Sequence, residues 1–163
     1  MSNDQGGLII QRLEGPHADQ WLDACAMMMS TTEPWITLKR DYASARERIA
    51  DPDQEAWVAM KDGQPFGFLL LIFTGVLRGY LRTICLSPQF RNQGLGTRLI
   101  QFAEERIFQD HPNVFLCVSS FNPDARRLYE RLGYEYIGEL KDFLVQGHSE
   151  LIYRKSRGPV MPR

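Results

Sequence analysis

The sequence predicts one α/β domain with a hydrophobic core, in which strands and helices alternate along the chain. Strand-like apolar runs and segments with helical periodicity follow one another along the chain. A glycine-containing turn joins a strand to a helix near the middle of the chain. The length of 163 residues suits one domain with a sizeable core. A hydrophobic content of 44% and a charged content of 24% are ordinary for a globular protein.

The first half of the chain contains strand, helix and hairpin signals. Pro34 ends the first helical region, because proline lacks an amide hydrogen and restricts the residue before it. Asp62-Gly63 is a hairpin signal between two apolar runs. In chain order, the predicted elements are a strand at 8–13, a helix at 17–29, a strongly charged helix at 38–50, and strands at 55–61 and 64–73.

The second half contains the central strand and two more helices. The central strand starts near Leu81 and stops at Ser87-Pro88, and the helix after it has an apolar face that includes Leu99. We expect one domain at 1–155, followed by a basic, proline-containing tail at 156–163 that is a candidate for disorder. The remaining predicted elements are a strand at 113–119, a short helix after Asn122, and strands at 134–140 and 149–154.

The turn between the central strand and its helix is a physical site for phosphate. Its sequence is Arg91-Asn92-Gln93-Gly94-Leu95-Gly96-Thr97. A helix leaves its first backbone N–H groups without helical partners, and its dipole adds about half a positive charge there. Glycine at Gly94 and Gly96 removes Cβ atoms that would keep a large anion away.

Two other phosphate-binding motifs fit this turn poorly. A P-loop has four residues between its glycines, followed by Lys and Ser or Thr. This turn has one residue between its glycines and no Lys. A dinucleotide fingerprint needs a third glycine, and that position is Leu99. At this point a glycine-containing connection without any ligand is the remaining alternative.

A second motif lies in the segment 122–134, NPDARRLYERLGY. Asn122 suits an N-cap, Pro123 suits the first helical turn, and Gly133 suits the C′ position. The first turn has the pattern Arg/Gln-x-x-Gly-x-Gly after a strand, and the second motif has the pattern N-x-x-A-x-x-L-Y-x-x-x-G-Y. Together they resemble the GNAT family of N-acetyltransferases. The order of elements also resembles that family over almost the entire chain.

The resemblance implies a GNAT fold, with a central mixed, mostly antiparallel sheet that splays at the acetyl-CoA site and has helices on both faces. It implies acetyl-CoA as cosubstrate and no metal. Helix capping by Asn122 and core packing by Tyr129 are the structural alternatives to ligand roles. The implied contacts are the backbone of Ile84, Cys85 and Leu86 with the pantetheine arm, the amides of Arg91 or Asn92 through Gln93, Gly94, Leu95, Gly96 and Thr97 with the pyrophosphate, Asn122 with the pantetheine, and Tyr129 with the thioester sulfur.

Acetyl transfer needs a proton donor for the leaving thiolate and a neutral amine. Tyr129 is the predicted acid, because a phenol can protonate a thiolate whose conjugate acid has a pKa near about 8–9. Relatives of this family place a glutamate base where this chain has Tyr80 or Cys117. Glu33 lies in the segment that borders the acceptor cleft in this family, so it is the candidate base. Trp35, Tyr80 and Glu33 itself are the candidate acceptor contacts.

Other groups remain open as the base. His148 and Glu150 are weaker candidates at the entry of a strand, and a bound water could act alone. The alternative to a catalytic role for Glu33 is that it is an ordinary loop carboxylate.

The leading interpretation is an acetyl-CoA-dependent N-acetyltransferase that acts on a primary amine by direct attack on the thioester. The segment Glu33-Pro34-Trp35 faintly favours a cationic acceptor with an apolar part. An aminoglycoside-type acetyltransferase is one alternative, and an acidic acceptor cleft would support it. A catalytically inactive acyl-CoA-binding regulatory module is the other.

The composition limits the partners and the compartment. A formal net charge of −1 offers no basic field for nucleic acid. The longest apolar run, 66–73, is too short to span a bilayer, and the N-terminal sequence does not resemble a signal peptide. Cys25, Cys85 and Cys117 lack metal-binding spacing and cannot all pair. We expect a cytoplasmic monomer or homodimer without a nucleic-acid or membrane partner.

Overall fold

The computed structural model describes residues 7–161 of the chain. No helix in this range has both the length and the apolar character needed to cross a membrane. A short 3₁₀ helix at Pro88–Phe90 precedes the third α-helix. The other elements, in chain order, are β1 Leu8–Arg12, α1 Ala18–Ser30, α2 Tyr42–Ile49, β2 Glu55–Lys61, β3 Gln64–Ile72, β4 Tyr80–Leu86, α3 Leu95–Phe108, β5 Asn113–Ser119, α4 Pro123–Arg131, β6 Glu135–Lys141 and β7 Ser149–Ser156.

The strands form one sheet in the order β1-β2-β3-β4-β5-β7-β6. Neighbouring strands are antiparallel, apart from β4 and β5. These two are parallel and pair only at Tyr80 with Phe115 and at Leu81 with Leu116. Beyond these pairs the two strands diverge, and this divergence is called the splay below. The predicted mixed, mostly antiparallel sheet is confirmed.

Helices cover both faces of the sheet, as predicted, and each face has its own hydrophobic core. One face is covered by α1 and α2 and is called the α1/α2 face. Its buried core residues are Leu22, Cys25, Ala26, Met29, Ala45, Ile49, Val58, Phe68, Leu70 and Cys85. The opposite side is called the α3/α4 face. Its buried core includes Leu69, Leu71, Leu81, Leu99, Ile100, Ala103, Ile107, Leu116 and Tyr129.

A β-bulge in β4 accompanies the splay. Leu70 of β3 pairs with Thr83, and Leu71 pairs with Leu81, so Arg82 is an extra residue in β4. A bulge of this kind bends its strand and increases the local twist. The bend lies where β4 stops pairing with β5, so we attribute the opening of the sheet to it.

The second helix is shorter than the predicted span 38–50. It starts at Tyr42 because Asp41 caps it: Asp41 Oδ1 accepts a hydrogen bond of 2.8 Å from the Ser44 N–H. Lys39, two residues before the cap, has a φ of 54°, which is incompatible with a continuous right-handed helix. The chain between α1 and α2 is therefore a longer loop than predicted, and this loop carries Glu33 and Trp35.

Local turn signals are confirmed in both halves of the chain. Asp62 and Gly63 have φ values of 51° and 77°, which suit the tight hairpin turn between β2 and β3. Pro123 opens α4 as predicted, and Gly133 follows the helix with a φ of 87°.

The C-terminal segment makes contacts beyond the predicted last strand. β7 extends to Ser156. The Arg157 N–H donates a hydrogen bond of 2.8 Å to the Pro112 carbonyl, and its guanidinium lies 3.9 Å from the centre of the Phe108 ring. The last part of the predicted tail, 162–163, lies outside the described residues.

Candidate active site

The turn between β4 and α3 presents backbone N–H groups to solvent. Gly94 is the N-cap of α3 and has a φ of 75°. The first helical hydrogen bond runs from the Arg98 N–H to the Gly94 carbonyl, at 3.2 Å, so the amides before Arg98 have no helical acceptor. A Cβ at Gly94 would meet no heavy atom within 4 Å, and one at Gly96 would meet only Leu128 Cδ2, at 4.0 Å. The space above these amides is open to an anion.

The side chains of this turn divide into exposed and packed groups. Arg91, Asn92 and Gln93 are exposed, whereas Leu95 is buried against the α3/α4 face and Thr97 is half-buried. The turn is braced within itself, since Gln93 Nε2 donates to the Gln89 carbonyl at 2.9 Å. Asn92 supports the reversal of the chain with a φ of 58°.

Ile84, Cys85 and Leu86 form the part of β4 that lies beyond the pairing with β5. Ile84 and Leu86 pack toward the α3/α4 face, and Cys85 is buried on the opposite side. Burial raises the pKa of the Cys85 thiol to about 12, so this cysteine stays protonated and poorly reactive. The backbone of this segment pairs with β3 on one side, and its other edge is available to an extended ligand.

Asn122 and Tyr129 lie at the start and on the buried side of α4. Asn122 Oδ1 accepts a hydrogen bond of 3.3 Å from the Ala125 N–H, so the capping role is real. Tyr129 is 5% exposed, and its ring meets Tyr134 edge to face at 5.7 Å between centroids. Burial raises the pKa of Tyr129. Capping and packing leave the Asn122 amide nitrogen and the Tyr129 hydroxyl for other uses.

A buried carboxylate lies on the α1/α2 face, beside the splay. Leu116 packs on the α3/α4 face, so the alternation of β5 directs Cys117 and Ser119 to the α1/α2 face. Ser119 Oγ donates a hydrogen bond of 2.6 Å to Glu150 Oε1 on β7. Glu150 is 6% exposed, and burial raises its pKa against the opposing effect of Ser119.

Tyr80 and Cys117 face each other near this carboxylate. Burial raises the pKa of both groups, and the charge of Glu150 raises both further. These are the two positions at which the family resemblance implies a glutamate. In this chain the carboxylate stands one strand further along the sheet, and it lies on the same side as Tyr80 and Cys117.

The loop between α1 and α2 lies against the free end of β4. Thr32 Oγ1 is 3.8 Å from Cys85 Sγ, and Arg91 Nη2 donates to the Glu33 carbonyl at 3.4 Å. These two contacts bring Glu33 beside both β4 and the glycine turn.

Two side chains of this loop differ in their surroundings. Glu33 is exposed, and its Oε2 accepts a hydrogen bond of 3.2 Å from the Thr37 N–H, which stabilises the loop itself. Trp35 is half-buried and packs against the core of the α1/α2 face. Of the two candidate carboxylates, Glu150 is therefore more enclosed than Glu33.

Most of the predicted site residues surround the splay, and Glu150, one of the further candidates from the sequence, is the enclosed carboxylate among them. The sequence around Glu150 shows only a carboxylate next to apolar residues of a strand. Its partner Ser119 lies far away in sequence, and only the pairing of β5 with β7 brings the two together. Within the described part of the chain, no group of three or more His, Cys, Asp or Glu side chains is arranged to hold a metal ion.

Comparisons with known proteins agree on one family. Residues 19–134 match the family described as "Acetyltransferase (GNAT) family". A mycothiol acetyltransferase from Corynebacterium jeikeium is 24% identical over 165 residues, covering 93% of this chain and 42% of that protein. A spermidine N(1)-acetyltransferase from Escherichia coli is 29% identical over 105 residues, covering 62% of this chain and 56% of that protein. The chain thus spans about half the length of these curated relatives.

A solved structure shares the fold. An aminoglycoside 6′-N-acetyltransferase complexed with coenzyme A superposes with a TM-score of 0.69, at 18% identity, over 95% of this chain and 98% of that chain. At this level of identity, the likeness concerns the arrangement of helices and strands.

Proposed function

Since this chain belongs to the acetyltransferase (GNAT) family, we propose that it is an N-acetyltransferase, which transfers the acetyl group of acetyl-CoA directly to a primary amine. The observation that carries the proposal is the divergence of β4 and β5 after Leu81 and Leu116. One side of this gap leads to the free amides at the start of α3, and the other side leads to a buried carboxylate. The cosubstrate and the amine would meet between them.

The chain offers suitable groups for acetyl-CoA, which supplies the activated acetyl group. In the proposal, the amides from Asn92 to Thr97 hold the pyrophosphate, because they have no acceptor within the helix. The Arg91 N–H already donates to the Pro88 carbonyl at 3.2 Å, so of the two predicted starting points Asn92 is the one that fits. The free backbone edge at 84–86 pairs with the pantetheine arm, and the Asn122 amide nitrogen donates to it. The open space at Gly94 and Gly96 supports this assignment.

Tyr129 is the proposed proton donor to the leaving sulfur. Its raised pKa keeps the hydroxyl protonated at neutral pH. Burial also destabilises a thiolate in the same place, so it raises the pKa of the tyrosine donor and the pKa of the thiol that is formed. A proton held at the Tyr129 hydroxyl becomes most useful when negative charge grows on sulfur.

We propose Glu150 as the first candidate for the base and Glu33 as the second. Glu150 is buried on the acceptor side of the splay, and its raised pKa makes it a stronger base than an ordinary carboxylate. It could take a proton from the ammonium form of the acceptor directly or through water. Glu33 would instead bind the amine at the loop, together with Trp35 and Tyr80.

The test is an assay of thiol release from acetyl-CoA over a panel of amines, with mass spectrometry of each acceptor. We expect amine-dependent release and a product that is heavier by one acetyl group on nitrogen. A chain that binds acetyl-CoA but acetylates no amine in the panel would instead be a regulatory acyl-CoA-binding module.

The aminoglycoside alternative has less support on the acceptor side. A polycationic acceptor would favour an acidic cleft, whereas Arg40 and Arg48 line one cavity on the α1/α2 face, and the charge of Arg48 acts on Tyr80. The proposal also includes a cytoplasmic location and a monomer or homodimer without a nucleic-acid or membrane partner. Free thiols at Cys25, Cys85 and Cys117 suit a reducing compartment.

A further inference from the structure

Three arginine side chains converge on one cavity between α2 and β4. The cavity has a volume of about 510 Å³, within the range of small-molecule sites. Arg40 and Arg48 come from the start and the body of the α2 region, and Arg82 is the bulge residue of β4. Glu47 and Asp51 also line it.

The charge of Arg82 is compensated within the protein. Its Nη1 lies 2.7 Å from Asp51 Oδ2 and donates at 2.8 Å to Gln54 Oε1. Asp51 is thereby occupied, and the pKa of its carboxyl is lowered by the hydrogen bond from Arg82. This pair is a structural ion pair, and the charge of Asp51 acts on Arg48 only as the smallest of the effects on the pKa of that arginine.

Arg48 and Arg40 lack such compensation. Arg48 is largely buried, and its Nε donates only to the neutral Thr83 Oγ1, at 3.4 Å. Burial, followed by the charges of Arg82 and Arg40, lowers the pKa of Arg48 to about 10. Arg40 Nε is buried without a hydrogen-bond partner. Among residues 7–161, neither side chain forms an ion pair with a carboxylate, although buried charges are normally paired.

The cavity of these two arginines lies on the α1/α2 face, the face that also carries Tyr80 and Glu150. Arg48 hydrogen-bonds to Thr83 of β4, and its charge acts on Tyr80, at the point where β4 and β5 pair. The charge of Glu150 in turn raises the pKa of Tyr80. The same face of the sheet thus carries two arginines without an ion-pair partner, beside the exposed Glu47, and a buried carboxylate at Glu150.

We propose that the acceptor is an amine that also carries an anionic group, a carboxylate or a phosphate, and that Arg48 and Arg40 bind this group. Glu150 at the opposite end would receive the amine. The inference rests on the proposed acetyltransferase function and narrows its acceptor class. It modifies the expectation of a cationic acceptor with an apolar part, because two guanidinium groups without ion pairs would repel an acceptor that carries positive charge alone.

The experiment compares acceptors that differ only in the anionic group. One arm sets phenylalanine against 2-phenylethylamine, and the other sets 2-aminoethyl phosphate against 2-aminoethanol. We expect kcat/KM to favour the anionic member of at least one pair by tenfold or more, and the favoured arm identifies carboxylate or phosphate. In Arg48→Gln and Arg40→Gln that preference should fall toward one, chiefly through KM.

Arg46→Gln is the matched control, because Arg46 lies on the same helix but is paired with Asp23 at 2.8 Å on the surface. It should keep the wild-type preference. Equal use of both members of each pair, or an equal loss on both in Arg48→Gln, would overturn the anion site while leaving the acetyltransferase function intact.

Calorimetry of the same acceptors with the unreacted protein separates the two proposals. Binding of the anionic acceptor that weakens at least tenfold in Arg48→Gln, without turnover of any amine, would support the anion site and overturn the acetyltransferase function. Equal turnover of acceptors with and without the anionic group would support the acetyltransferase function and overturn the anion site. If neither binding nor turnover is found, both proposals fail.

Discussion

The Ser119 hydroxyl donates a hydrogen bond of 2.6 Å to Glu150 Oε1, from the last residue of β5 to the second residue of β7. Burial raises the pKa of Glu150, and this hydrogen bond opposes the rise because it stabilises the charged carboxylate. The pair therefore sets the pH at which Glu150 becomes a base.

Glu150→Gln should remove an acidic limb from the pH profile of kcat/KM. A base must be ionised, so kcat/KM should rise with pH through the raised pKa of Glu150, above the usual range of glutamate. The glutamine variant should show no such limb. At pH values above the pKa of Glu150, its kcat/KM should be at least about tenfold lower than that of the wild type, since acid–base catalysis is typically worth 10²–10⁴-fold.

Ser119→Ala tests the same assignment in the opposite sense. Loss of the donor should raise the pKa of Glu150 further, so the limb should move to higher pH without disappearing. Glu139→Gln, at an exposed position on the neighbouring strand, is the control for a carboxylate outside the site. A wild-type pH profile in Glu150→Gln would transfer the role to Glu33 or water.

Tyr129→Phe should lower kcat by at least about tenfold while acetyl-CoA affinity changes much less. The ring and its contact with Tyr134 remain, so only the proposed proton donor is lost. Tyr134→Phe is the matched control, since it removes a hydroxyl from the neighbouring buried ring. Full kcat in Tyr129→Phe, measured where chemistry limits turnover, would leave Tyr129 as a packing residue.

Gly96→Val should weaken acetyl-CoA binding by at least tenfold, about 1.4 kcal/mol. The protein itself has room for a Cβ here, whereas valine at Gly94 would also strain a backbone with φ of 75°. Isothermal calorimetry measures the effect. Gly138→Val is the control, because its added Cβ would meet only Ile152 Cδ1, at 3.9 Å, away from the turn. Equal affinity in the two folded variants would remove the pyrophosphate assignment.

Glu33→Gln should impair use of the acceptor while acetyl-CoA binding stays as in wild type. The glutamine oxygen can still accept the hydrogen bond from the Thr37 N–H, so the loop should keep its shape. An effect on KM alone would indicate that Glu33 binds the amine and Glu150 deprotonates it. Acceptor kinetics identical to wild type would make Glu33 a loop residue without a catalytic part.

Features coded by neighbouring residues could be predicted from the sequence. Asp62-Gly63 specifies its hairpin through backbone conformation, and Asn122 specifies the start of α4 through a bond to Ala125. The helix predicted at 38–50 was too long because Asp41 caps the helix. The charged residues before Asp41 therefore lie outside it.

Features that depend on strand register could not be predicted in this way. The bond between Ser119 and Glu150 exists because β5 and β7 pair at those residues. The convergence of Arg40 and Arg48 on one cavity with Arg82 depends on tertiary structure that brings α2 near β4, which a pattern of charged residues does not reveal.

The bulge at Arg82 has a consequence for how such a cleft can arise. Leu81 and Ile84 both face the α3/α4 side although three positions separate them, an odd interval that a regular strand does not allow. Arg82 and Thr83 are the residues between them. Deletion of one codon at this point would restore an even interval and straighten the strand. The number of residues in β4 therefore determines whether the sheet opens. An insertion or deletion of one residue is enough to create or remove the opening, without any change in the kind of side chains.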